Sequence, residues 1–309
     1  MKKLALLLGA LSLVSSVAYA KEVVPAVEEV VVVEEAAPVA EAPALTVTYV
    51  GQNIEVDNWS GSKNGDIGNV MFGNSVGLAY GDDWTFDFFA RKGWDMDTDK
   101  GTQSNGHRLQ LDAWRNYENY SLGFRFRGEK DTDKYYLRGK YNYGMFSGFA
   151  DVAYASHNGV SGNEDGIYIE TIPVAVTVGP VTLAYYLEAD EFALDTRDDG
   201  FNHSYRQQLR ASMPLYNGEK LSLGLEYRWQ FDTDVDYDKT KANEKVVYNE
   251  ANENSHIVVL SAAYAVTENL TVSGYYQYDM YDYDTKNSDK DLYSPEYYGE
   301  FGLGWTYSF

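Results

Sequence analysis

The 309-residue chain carries 47 acidic against 25 basic side chains, a formal charge of −22, with 15% aromatic residues and no cysteine. The acidic balance argues against a nucleic-acid partner, which needs clustered positive charge, and the absence of cysteine excludes disulfides and thiolate metal sites. Beyond the first twenty residues no apolar run is long enough to cross a bilayer as a helix, so a place in a membrane would require a closed barrel.

Residues 1–20 read as a cleaved signal peptide. Lys2 and Lys3 form a positive n-region, Leu4 to Val17 an apolar core, and Ala18-Tyr19-Ala20 the small-x-small pattern, with Ala18 and Ala20 as the recognised residues. The signal removes two lysines and no acid, so the mature chain from Lys21 carries −24. Residues 21–44 are Val, Glu, Ala and Pro almost throughout, with six Glu, one Lys and Pro25, Pro38 and Pro43. Such a stretch has little to bury and reads as an acidic periplasmic tether.

From residue 45 to 309 the pattern is strict alternation. Tyr120, Leu122, Phe124 and Phe126 alternate with Ser121, Gly123, Arg125 and Arg127; Leu221 to Phe231 and Leu270 to Met280 behave alike. Period 2 places these sets on opposite faces of a strand. Turn signals divide the region into about fourteen strands, near 45–56, 68–80, 84–96, 106–116, 119–128, 134–143, 146–156, 167–178, 181–190, 203–213, 220–231, 256–266, 270–282 and 297–309. Short connections alternate with longer polar ones at 57–67, 97–105, 129–133, 157–166, 191–202, 232–255 and 283–296. Short periplasmic turns opposite long extracellular loops imply an all-β, antiparallel outer-membrane β-barrel, with both termini periplasmic. A soluble sandwich would need its second face covered, yet that face is Arg, Asp, Gln, Ser and Gly.

The last strand carries the most specific motif. Phe309 ends the chain, Tyr307 is the aromatic two before it and Gly304 the glycine five before it. This resembles the C-terminal assembly signal of outer-membrane barrels, with Gly302 departing from the usual polar residue. The opening MKKLALLLGALSLVSSVAYAKEV, the Val/Glu/Pro-rich stretch and the Tyr- and Gly-rich barrel resemble the fusobacterial major outer-membrane porin family. A weaker likeness is to oligogalacturonate-specific porins. The first resemblance implies a general diffusion porin, often a homotrimer, with adhesive roles in some members. The implied partners are outer-membrane lipid and lipopolysaccharide, together with the barrel-assembly machinery.

Catalytic chemistry finds little support. His107, His157, His203 and His256 fall on loops or strand ends, and neighbours such as His203 and Ser204 point to opposite faces of a strand. The acidic runs at Asp95, Asp97 and Asp99 and at Asp232, Asp234, Asp236 and Asp238 lack the Gly at position six and Glu at position twelve of an EF-hand. No cofactor, metal or catalytic residue is therefore expected, and the acidic runs read as solvated extracellular loops, with loose divalent binding near lipopolysaccharide headgroups as the alternative.

The lumen is where function is expected. On the face opposite the apolar one stand Arg91, Arg108, Arg125, Arg127, Arg138, Lys140, Arg206, Arg210 and Arg228, with the acids Asp112 and Glu226 and also Asp87, Asp151, Glu188 and Asp279. Arginine ladders bias a pore toward anions, whereas pairing with the inward acids would make them wall structure. Arg125, Arg138 and Arg210, near mid-strand, are expected nearest a constriction. The expected function is passive, weakly anion-selective diffusion of small hydrophilic solutes. An adhesive or structural barrel with a plugged lumen, and a barrel hydrolase with a Ser–His–acid lip, are the competing readings.

Overall fold

One apolar face on every strand must be covered by another layer or by an apolar solvent, and the described residues supply no second layer. The computed structural model describes residues 44–59, 68–97, 101–157, 165–194, 201–237, 250–251, 255–280, 284–285 and 297–309. The expected signal peptide with Ala18 and Ala20, and the tether except Ala44, lie outside the described residues.

In chain order the strands are β1 (Leu45–Trp59), β2 (Gly68–Tyr80), β3 (Trp84–Asp97), β4 (Gly101–Asn116), β5 (Tyr120–Glu129), β6 (Asp133–Tyr143), β7 (Phe146–Ser156) and β8 (Gly166–Val178). They continue with β9 (Val181–Ala193), β10 (Phe201–Asn217), β11 (Leu221–Tyr237), β12 (Glu250–Ala251), β13 (Ser255–Ala265), β14 (Leu270–Met280), β15 (Asp284–Thr285) and β16 (Tyr297–Ser308). The two-residue strands β12 and β15 pair only with each other. The other fourteen pair antiparallel with their neighbours, and β16 closes on β1, giving a closed fourteen-stranded barrel.

The faces are those of a membrane barrel. Leu122, Phe124, Leu137, Val152, Leu183 and Leu303 are large, apolar and exposed on the outside, while Asp112, Arg138, Asp151, Gln208 and Arg210 are buried on the inside. This inverts the arrangement of a water-soluble protein and suits hydrocarbon outside. Exposed Tyr80, Trp84, Tyr117, Tyr120, Tyr143 and Tyr307 lie at the short-turn ends of their strands, the level of an interfacial aromatic girdle. The protein is an outer-membrane β-barrel.

The short connections lie at 81–83, 117–119, 144–145, 179–180, 218–220 and 266–269. Gly81, Gly144 and Gly179 take φ of +58°, +60° and +60° there, a conformation that costs glycine nothing. Both barrel ends meet on this rim, where the Phe309 N–H donates to Thr48 O at 3.0 Å.

The far rim corrects the expected loops. The β3–β4 ladder runs on to Asp97 opposite Gly101, so the connection expected at 97–105 shrinks to 98–100. The connection expected at 129–133 is 130–132, closed by Glu129 N–H to Thr132 O at 2.9 Å, and β11 continues to Tyr237. Past the hydrocarbon both faces meet water, so apolar alternation fades while backbone pairing persists. Pro173 and Pro214 lie at register shifts of β8 and β10, where a missing N–H is tolerated.

Candidate functional site

A solute crossing such a barrel meets only the inner wall, so the wall is built up here strand by strand. Register sets Asp112 of β4 opposite Arg125 of β5, and Arg138 of β6 opposite Asp151 of β7. Arg125 Nε donates to Asp112 Oδ1 at 2.7 Å. Arg138 bridges both acids, through Nη1 to Asp112 Oδ1 and through Nη2 to Asp151 Oδ2 at 2.8 Å. Gln110 Nε2 donates to the other Asp112 oxygen at 2.7 Å. The side chains of Arg138, Asp112 and Asp151 are 4%, 4% and 2% exposed, so two guanidinium groups and two carboxylates neutralise each other out of water. Such a quartet adds little net stability when complete, but losing one member strands the others.

Aromatic rings sit beneath these cations. Arg138 and Lys140 lie over Trp114, at 4.6 and 4.5 Å from the ring centroid, and Arg125 and Arg127 over Tyr136, at 5.6 and 5.3 Å. Lys134 lies over Tyr168 at 4.3 Å and Arg210 over Tyr186 at 3.5 Å. The ring face attracts each charge and shields it from water.

The expected basic set divides by partner. Arg91 pairs with Glu55 at 3.4 Å, Arg108 with Glu129 at 2.5 Å, Arg206 with Glu188 at 2.9 Å and Arg228 with Glu226. Three cations have no carboxylate partner among the described residues. Arg127 Nε donates to Gln110 Oε1 at 3.2 Å, Arg210 Nε donates to Gln208 Oε1 at 2.8 Å, and Lys140 is exposed over Trp114.

A second motif joins tyrosine to carboxylate. Tyr168 donates to Glu170 and Glu188 at 3.0 Å each, and Tyr186 to the same pair at 3.2 and 2.7 Å. Tyr49 donates to Asp87 at 2.7 Å, and Tyr275 to Glu55 at 3.0 Å and to Glu300. Trp114, Tyr136, Tyr168, Tyr186, Glu55, Asp57 and Glu300 are absent from the expected lumen set. Period 2 is the signal that places all of them but Asp57 on that face. Ile172, Ala175, Ala184 and Tyr186 make an apolar patch within the wall of β8 and β9, with Phe149 of β7 against it.

The hydrogen bonds, ion pairs and cation–ring contacts given above join strands no more than two apart around the barrel, as Arg138 of β6 reaches β4 or Tyr275 of β14 reaches β1. In the terminal strand Tyr307 meets Phe309 edge-on at 5.2 Å, both on the outer face, and a Cβ on Gly304 would stand 2.7 Å from Gln52 O. The Gly302 departure has a cause: Tyr275, directly opposite on β14, lays its ring where a Cβ would be, at 2.1 Å. The four histidines sit on four different hairpins. His203 faces Asp234 at 3.2 Å, His256 faces Tyr227 at 2.7 Å and His157 faces Thr132 at 3.3 Å. One carboxylate trio among the described residues, Glu55, Asp57 and Glu300, has the spacing of metal ligands.

The barrel is similar to outer-membrane proteins of known structure. A loop L8 deletion mutant of OmpT from Vibrio cholerae is 12% identical, covering 86% of this chain and 100% of its own, with a TM-score of 0.45. An anion-selective porin from Comamonas acidovorans is 12% identical over 86% and 100%, with a TM-score of 0.44. Omp33 of Acinetobacter baumannii is 12% identical over 85% and 98%, with a TM-score of 0.38. At these values the likeness is one of barrel architecture alone. No family model and no curated protein matches the chain.

Proposed function

We propose that this protein is a passive diffusion porin for small hydrophilic solutes, with a weak preference for anions. The observation that carries the reading is the polar, charged lining of the inner wall, whose hydrogen bonds and ion pairs described above run along the wall. Fourteen strands stand between the filled eight-stranded barrels and the open porins of sixteen, and a polar wall keeps such a lumen wet. The preference for anions rests on Arg127, Lys140 and Arg210, none of which makes an ion pair with a described carboxylate. Acids on the loops are screened beyond a Debye length of about 8 Å. Membership of the fusobacterial porin family, assembly as a homotrimer and insertion by the barrel-assembly machinery belong to the same proposal, supported by the N-terminal run and Phe309. A non-enzymatic role agrees with histidines spread over four hairpins.

Planar-bilayer recording tests this. Purified protein should give discrete conductance steps, and in a salt gradient the zero-current potential should fall on the anion side. Replacing Arg127→Gln together with Lys140→Gln should move it toward cations while the barrel still folds. The absence of steps would overturn the channel, and a strongly cation-selective wild type would overturn the selectivity.

A further inference from the structure

Two rows of the inner wall set like charges directly opposite each other. Arg91 of β3 faces Arg108 of β4, and Arg127 of β5 faces Lys134 of β6. Like charges so placed destabilise a sheet. The first pair is answered within the chain, because Glu55 meets Arg91 and Glu129 meets Arg108. The second is not. Arg127 Nε donates to the neutral Gln110 Oε1 at 3.2 Å, and Lys134 lies over the Tyr168 ring with no hydrogen bond or ion pair among the described residues. The next inward acids, Asp112 and Asp151, are held by Arg125 and Arg138, and Asp133 belongs to the other face of β6.

Beside these two cations lies a hydroxyl with nothing to bind. Tyr136, the next inward residue of β6, is 1% exposed and packs with Ala153 and Tyr168. Its Oη is buried without a hydrogen-bond partner, whereas Tyr168 and Tyr186 each donate to two carboxylates. Buried polar atoms left unmatched are rare, because each forfeits its hydration. An O–H donor set among guanidinium groups lacks one kind of partner, an anion.

We propose that Arg127, Lys134 and the Tyr136 hydroxyl form a binding station for a doubly charged oxyanion, a sulfate or phosphate group. The inference rests on reading the lumen as a wet path for anions, and it names the class of solute held on the way. Arg108, Arg127 and Lys134 against Glu129 leave two positive charges, which one dianion cancels. The planar Arg127 fork suits two oxygens of such a group, and Lys134 adds a point charge. The hydroxyl supplies one further donor. Arg91, Arg108, Arg125 and Arg138 are each held by a carboxylate, so Arg127 is the least tethered guanidinium of this wall. Swung off the Tyr136 ring toward a solute, it uncovers the hydroxyl.

Calorimetric titration of the purified barrel in detergent micelles tests the station, at constant ionic strength in chloride. Sulfate should bind at one saturable site, and so should phosphate at a pH where it is a dianion. Lys134→Gln should weaken both by about tenfold or more. Tyr136→Phe keeps the ring under the cations and removes only the donor, and should weaken both by about tenfold. Lys140→Gln lies outside the station and should bind as wild type, although the selectivity reading expects it to shift the zero-current potential. If Lys134→Gln does not refold, Tyr136→Phe carries the test. No saturable binding, unchanged affinity in Tyr136→Phe, or an equal loss in Lys140→Gln would overturn the station. Missing conductance steps beside an intact titration would overturn the channel alone.

Discussion

The inner walls of β4 to β7 and of β14, β16 and β1 both confine charge, and they do so in opposite ways. In the first, Arg125, Arg138, Asp112 and Asp151 neutralise one another and rest on Trp114 and Tyr136. In the second, Arg91 meets Glu55 and the Tyr275 hydroxyl donates to Glu55 and Glu300, and space comes from glycine, with Tyr275 over Gly302 and Tyr49 over Gly77. Abundant charge on a wall is thus a poor guide to what it does. What matters is what holds each charge, a buried guanidinium in the first wall and a tyrosine hydroxyl in the second.

Assembly should separate the two walls most. Deleting Phe309 removes its bond to Thr48 at the seam, and should leave no heat-modifiable barrel in the outer membrane. One residue inserted after Met145, in the exposed β6–β7 turn, should still give a folded barrel. A normal barrel without Phe309 would put the seam on the same footing as any hairpin. Next in size is charge removal. Arg138→Gln leaves Asp112 and Asp151 buried without their bridge and should cost about 3–5 kcal/mol in urea unfolding from micelles. Arg91→Gln at the seam breaks a 3.4 Å pair whose side chains are 22% and 21% exposed, and should cost about 1 kcal/mol or less. Equal losses would erase the contrast.

Packing comes third. In Gly302→Ala the new Cβ meets the Tyr275 ring at 2.1 Å, and displacing that ring should cost about 1–3 kcal/mol. Gly139→Ala on β6 places its Cβ 3.8 Å from Leu122 and should stay within about 0.5 kcal/mol. The smallest effect lies outside the hydrocarbon, where β7 leads into β8. The hydrogen bond from the Tyr154 hydroxyl, then that from the His157 N–H at 3.1 Å, hold the Asp165 carboxyl below its ordinary value. A depressed folded value stabilises fully above the unfolded value near about 3.9, and that contribution is lost as pH falls through the lower folded value. Protection of the His157 amide relative to its intrinsic exchange rate should therefore fall only in acid, and Tyr154→Phe should move the onset to higher pH. An onset unmoved by Tyr154→Phe would remove that hydroxyl from the account.

The strands were legible wherever the chain crosses hydrocarbon. β2 at 68–80 and β7 at 146–156 match the alternation to the residue, because lipid on one side and water on the other force period 2. Asp57 escaped because Asp57-Asn58 reads as the start of a loop, whereas β1 continues to Trp59, past the apolar signal. The inward face of Arg125 could be read from its own strand. That Asp112 holds it depends on register between strands, and that Arg138 shares the same acid depends on two registers, 26 residues apart. Gly302 stood out as a departure in the terminal motif, but its reason, the Tyr275 ring, lies 27 positions away on β14.

The locality of the wall contacts has a consequence for how the barrel forms. Each hairpin meets its partners within a short stretch of chain, so ordering proceeds with small closure penalties, turn by turn. The β1–β16 ladder is different, pairing Tyr49 with Ser308, and over it Tyr275 of β14 reaches Glu55, 220 residues away in the chain. One long-range event thus carries nearly all the topological cost, and it cannot begin before both edges exist. Until then the nascent sheet has two open edges, available to any other strand. Rapid clasping of this seam is therefore what separates a single closed barrel from chains joined edge to edge.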